Sequence, residues 1–288
     1  MKKYIIFSII LLVHLVGFSQ ISHPKASPFS TVTQEVGLSK ITVSYSRPAV
    51  KGRKIFGDLV PYDRIWRVGA NASTKITVDS DMRVMGHILP KGTYALYAFP
   101  KPHSWEVVFH TNTGHWGDGR KAYTASEDAF RITIAPQKIT ELQENFLITF
   151  DAITHNSAHM IWSWEHTKIV IPMTVDTHSQ MLLEIKNKLQ NNPTALTYYE
   201  AARYLQEQGK DHSIALQYVN KALELGGDTY YFHRVKSLLL ATLNDYEAAI
   251  VSAKKSMDLA ALEDKDEFVR MNQKNMAYWK TRIKGDKK

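Results

Sequence analysis

The chain has 288 residues, no cysteine and a formal charge of +8. Without thiols there is no disulfide framework, no thiolate nucleophile and no cysteine zinc site, so the fold must rest on apolar burial. The charge suits an anionic partner but is too small by itself to indicate nucleic acid, and no nucleic-acid partner is expected.

The N-terminal segment reads as a leader. Lys2 and Lys3 precede an almost wholly apolar run from Tyr4 to Phe18, and Gly17 and Ser19 are the small residues expected before a cut at Gln20. The apolar run is shorter than the roughly 20 residues that span a bilayer, and His14 interrupts it. Residues 1–19 are therefore expected to be a signal peptide, and the mature chain an exported protein of the periplasm or beyond. No later segment is long and apolar enough to span a membrane.

From about Lys40 to Val175 apolar residues recur with period two. The runs are Ile41, Val43, Tyr45; Ile76, Val78; Tyr94, Leu96, Ala98; Trp105, Val107, Phe109; Phe146, Ile148, Phe150; and Met160, Trp162, Trp164. Turn residues separate them at Met85-Gly86, Pro90-Lys91-Gly92, Pro100-Lys101-Pro102 and from Gly114 to Gly119. Nine or ten short strands so spaced predict an antiparallel β-sandwich or barrel-like domain over residues 20–175. Met160 on the face of Trp162 and Trp164 favours burial of both indoles over an exposed sugar platform.

Within this domain the segment from Lys40 to Arg67 is the most distinctive. It carries Lys40, Arg47, Lys51, Arg53, Lys54, Arg64 and Arg67 against Asp58 and Asp63 only, a net +5. Two readings stand. In one, Arg47, Lys51, Arg53, Arg64 and Arg67 surround a carboxylate, phosphate or sulfated sugar, Asn71 adds an amide, and Trp66 or Tyr62 a stacking wall. In the other, Arg64 and Arg67 pair with Asp58 and Asp63 to pin a long loop, and Trp66 enters the core. Strand alternation would set Arg64 and Trp66 on one face and Ile65 and Arg67 on the other.

The stretch HTNTGHWGDGR, residues 110–120, also offers two readings. His110, His115 and Asp118 are candidate metal ligands in a Gly-rich loop, with His115 and Trp116 near the basic segment. Alternatively the stretch is a hairpin connection anchored to the core by Trp116. Its spacing matches no known metal motif, so no metal and no cofactor are expected. There is no GxSxG elbow, P-loop or GxGxxG, and Glu106, Glu144, Asp151 and Glu165 fit solvent-facing strand positions.

Beyond Val175 the period becomes helical. Thr177 and Gln180 form a capping box, and Asn191-Asn192-Pro193 closes the first helix. Asp211 to Leu225 then aligns with Asp245 to Leu259 at an offset of 34, pairing Ala215 with Ala249 and Ala222 with Ser256. That is the period of a tetratricopeptide repeat, so residues 176–288 are expected to form a tetratricopeptide-like helical domain.

The block SRPAVKGRKIFGDLVPYDRIWRVGANASTKI, followed by LPKGTYALYAFP, the Trp105 strand and HWGDG, resembles the domain-of-unknown-function family numbered 2911. The resemblance covers roughly Ser27 to Val175. It implies an exported, β-rich Bacteroidetes domain, often with a helical tail, and brings no activity, substrate or catalytic residue. Only His87 and Lys91 depart from its usual residues, at turns.

Together these features predict an α+β multidomain protein for binding or scaffolding in the envelope. The β domain would hold an anionic or sugar ligand through Arg47, Lys51, Arg53, Arg64, Trp66, Arg67, Asn71, His115 and Trp116. The helices would hold a protein or peptide partner. The rival is a periplasmic hydrolase of a glycan or ester using the same loop. A carboxylate or histidine facing the arginines across a ligand-sized gap would favour the hydrolase.

Overall fold

The computed structural model describes residues 23–117 and 120–285. The leader expected at residues 1–19 lies outside the described residues, as does Asp118. Two compact units divide the chain, one ending at Thr177 and one beginning at His178.

The first unit holds two antiparallel sheets. One runs in the order β1 (Phe29–Val36), β2 (Ser39–Ser46), β3 (Thr74–Val78), β6 (Gly92–Pro100), β7 (Trp105–His110), β8 (Asp128–Ile134). The other runs β5 (His87–Leu89), β4 (Met82–Val84), β10 (Ser157–Thr174), β9 (Gln137–Asp151). Their inner faces share one core, to which the period-two residues contribute directly: Ile41, Val43, Ile76, Leu96, Trp105, Val107, Phe109, Phe146, Ile148, Met160, Trp162 and Trp164 are all buried. Each large side chain so buried stabilises the fold by about 1.5–3 kcal/mol. Trp162 and Trp164 are both 2% exposed, which removes the sugar-platform reading.

β1 and β8 complete the larger sheet at its two edges. β1 reads FSTVTQEV and alternates exposed with half-buried positions, so its sequence has no apolar stripe. The outer face of the same sheet is also covered. Ala95, Tyr97 and Val108 are buried there, with Ile65, Phe99 and Tyr123 packed against them.

β9 is an edge strand, and an unpaired edge must be dressed or it invites aggregation. The chain leaving β2 dresses it. The Tyr45 hydroxyl donates to Ile148 O and accepts from Ile148 N. Phe146 N donates to Pro48 O, Arg47 Nε donates to Phe146 O at 3.0 Å, and Val50 N donates to Glu144 O. The outward N–H and C=O of Phe146 and Ile148, and the C=O of Glu144, are thereby satisfied.

Residues 61–73 form a loop, not a strand, so the alternation expected at Arg64 to Arg67 does not apply. Trp66 exchanges both backbone hydrogen bonds with Ala98 and sends its ring into the core, against Trp164, Trp105, Phe56 and Phe146. Its Nε1 donates to Gly69 O at 3.2 Å. Gly69 holds φ +135°, and a Cβ there would stand 2.8 Å from Ser46 O, so only glycine fits. Val68 beside it holds φ +56° while fully buried, an outlier for a β-branched residue.

The second unit consists, among the described residues, of six helices: α1 (Thr177–Gln190), α2 (Ala195–Glu207), α3 (His212–Glu224), α4 (Tyr230–Thr242), α5 (Tyr246–Leu262) and α6 (Asp266–Gly285). Thr194 and Thr197 form a reciprocal capping box at the start of α2. Ala215 and Ala222 of α3 are buried, as are Ala249 and Ser256 at the matching positions of α5. Small side chains at these positions let the helix axes approach. Ser256 also donates to Tyr230 O and accepts from Asn272 Nδ2, tying α5 to α4 and α6. No helix among the described residues is long and apolar enough to cross a membrane.

Candidate functional site

The basic segment disperses its side chains to several tasks. Arg47 is spent on the edge of β9. Arg64 is exposed and lines neither of the clefts described below. Asp63 stands 3.7 Å from Lys101. Trp66, at 6% exposure, belongs to the core, so any face it offers a ligand is small.

Lys51, Arg53 and Arg67 do come together. With Arg120 they line a cleft of about 330 Å³ whose walls include Pro48, Pro61 and Ile65 and which reaches Trp66 and Trp164. Among the described residues lining it there are four cations and no aspartate, glutamate or histidine. Arg53 is braced by its own loop, with Nε donating to Val50 O and Nη2 to Ala49 O. Lys51 is exposed at φ +50°, its backbone N–H fixed by Glu144 Oε1 at 2.9 Å. The buried Nε1 of Trp164 has no hydrogen-bond partner among the described residues. Chemically the cleft offers guanidinium forks and an ammonium, the donor set that holds oxyanions.

Asn71 and Trp116 lie elsewhere, in a neighbouring cleft of about 680 Å³ with Lys25, Phe29 and Lys75. Asn71 donates to Ser46 Oγ at 3.1 Å. Trp116 is 78% exposed and does not anchor its loop in the core; it forms a backbone bridge with Ala72 instead.

His115 enters a third group, on the outer face of the six-stranded sheet. His110 of β7 and Asp128 of β8 are register partners, and His110 Nδ1 lies 2.9 Å from Asp128 Oδ1. Asp128 also accepts from the Tyr123 hydroxyl at 2.7 Å and from Arg131 Nε at 2.7 Å. Arg131 reaches Glu106 at 3.1 Å and lies over the Phe99 ring. Burial, and then the hydrogen bond to Asp128, pushes the Tyr123 hydroxyl well above the ordinary tyrosine range, so it acts as a donor. The Tyr97 hydroxyl, raised chiefly by burial, lies 3.2 Å from His115 Nδ1. His110 Nε2 faces Glu127 Oε2 at 3.3 Å. Asn112 Nδ2 donates to the same carboxylate.

Tyr97, Tyr123, Glu127, Asp128 and Arg131 did not figure among the residues read from the sequence as candidates. Phe130, Ile132 and Ile134 alternate with Arg131 and Thr133, a legible strand signal. Yet that parity turns Asp128 inward. A register shift between Phe109 and His110 brings it to the outer face.

The sequence pattern of the family described as "Protein of unknown function (DUF2911)" matches residues 27–173. No curated protein and no solved structure matches the chain. The matched span contains both sheets, the basic cleft and the His110 cluster, and takes in more than half of the chain. The chain thus belongs to the DUF2911 family, with a six-helix region following the family domain.

Proposed function

We propose that this is an exported envelope binding protein whose β domain holds a small anionic or polyhydroxylated ligand in the cleft of Lys51, Arg53, Arg67 and Arg120. The observation that carries this reading is the charge of that cleft: four cations and no carboxylate among its described lining residues. A hydrolase of the glycan or ester type would need a general acid or base opposite the cations, and the described lining contains neither carboxylate nor imidazole. That favours binding over hydrolysis. Trp66 and Trp164 supply an apolar limit to the cleft, as in sites that hold a polar ligand by one charged end. The helices, whose repeat offset and buried small residues are tetratricopeptide-like, would hold a protein or peptide partner.

The test is calorimetric titration of the full chain with inorganic phosphate at low and high salt. Saturable binding that weakens with salt and falls in Lys51→Asn and Arg120→Gln supports the reading. Binding of phosphate that is indifferent to both substitutions refutes it.

A further inference from the structure

The group around His110 is not explained by the anion cleft. His110 is completely buried, and its Nδ1 is committed to Asp128 at 2.9 Å. Among the described residues its Nε2 is buried without a hydrogen-bond partner, although Glu127 Oε2 stands only 3.3 Å away. When Nδ1 carries the proton that Asp128 accepts, Nε2 presents a lone pair to a carboxylate. Two electron-rich atoms then face each other only 3.3 Å apart. One ligand atom each from His110, His115 and Glu127 lie within 4.8 Å of one another.

We propose that His110, His115 and Glu127 bind a divalent first-row metal ion, zinc being the best match to the donor set. A cation between Nε2 and the Glu127 carboxylate converts their repulsion into two bonds. The spacing suits it: donors about 2.1 Å from a tetrahedral zinc stand about 3.4 Å apart, close to the 3.3 Å seen between His110 Nε2 and Glu127 Oε2. Asp128 has the place of the outer carboxylate that fixes the tautomer and orientation of a ligating histidine, and Tyr123 and Arg131 hold Asp128 in turn. Two imidazoles and one carboxylate are an N/O set that suits zinc and its neighbours and not calcium or magnesium. Three protein ligands leave a coordination position for water or an anion.

The site is separable from the anion cleft because none of its three ligands lines that cleft. The experiment uses tag-free full chain stripped with a chelator, then titrated with Zn²⁺ by calorimetry and with Co²⁺ by visible absorption. One metal ion per chain is expected, with the d–d bands of a low-symmetry four- or five-coordinate Co²⁺ site. His115→Ala and Glu127→Gln, both at partly exposed positions, keep the fold by circular dichroism. Each weakens Zn²⁺ binding by more than the roughly 10–100-fold typical of losing an outer partner. Zn²⁺ also raises the melting temperature of the wild type and of neither variant. If the folded wild type takes up no stoichiometric metal, the proposal fails. It fails equally if both variants bind Zn²⁺ as the wild type does.

Discussion

Substituting Arg47 separates the two tasks contained in the basic segment. Arg47 Nε donates to Phe146 O at 3.0 Å, on the outward edge of β9. A hydrogen bond from a charged donor contributes about 1.5–3 kcal/mol. Arg47→Ala should therefore destabilise the β unit by about that amount, lowering its melting temperature by about 3–12 °C for a unit of this size. Five of the six tryptophans, all but Trp279, belong to this unit, so indole fluorescence reports its unfolding while far-UV circular dichroism follows the helices. Lys51→Asn is the contrast. Its side chain is exposed and asparagine tolerates its φ of +50°. It should change stability by less than about 0.5 kcal/mol while weakening phosphate binding. The reasoning is refuted if Arg47→Ala leaves the fluorescence midpoint unchanged and abolishes phosphate binding, because Arg47 would then be a ligand group and not an edge cap.

Gly69→Ala should destabilise the β unit by at least about 1–3 kcal/mol, since its φ is +135° and the new Cβ meets Ser46 O at 2.8 Å; an unchanged urea midpoint would argue against that loop conformation. Ala249→Leu forces a larger side chain into a fully buried position of α5 and should cost about 1–3 kcal/mol, read as an earlier loss of far-UV ellipticity; an unchanged ellipticity midpoint would argue against that packing. Burial pushes the Tyr199 hydroxyl up to about 12 from its ordinary 10. The unfolded chain then releases this proton near pH 10 and the folded chain does not. The stabilisation is complete below pH 10 and is lost as the pH rises towards 12. Its size is about 2–3 kcal/mol for a shift of about two units. Tyr199→Phe should remove that alkaline component from urea titrations of the helical unit; an identical pH slope in wild type and variant would contradict it.

Local pattern alone carried the family, the strand-rich first part and the helical second part. Side chains two apart on a strand share a face whatever the tertiary context, so Trp105, Val107 and Phe109, or Met160, Trp162 and Trp164, could be assigned to a common surface from spacing alone. The same holds for Ala215 and Ala249, whose matching offset reflects matching burial. Edge strand β1 escaped this logic because an edge with one face exposed has no need of an apolar stripe. The basic segment shows the other limit. Composition located Lys51, Arg53 and Arg67, but which arginine faces a cleft and which clothes a strand depends on where β9 ends its sheet, more than ninety residues away in sequence. Asp128 is the sharpest instance. One extra residue, Ala129, between the partners of Phe109 and His110 reverses its face, and with it the chemistry of His110. Periodicity is a property of single strands, whereas a bulge is a property of the pair, so only the tertiary structure decided that His110, His115 and Glu127 would meet.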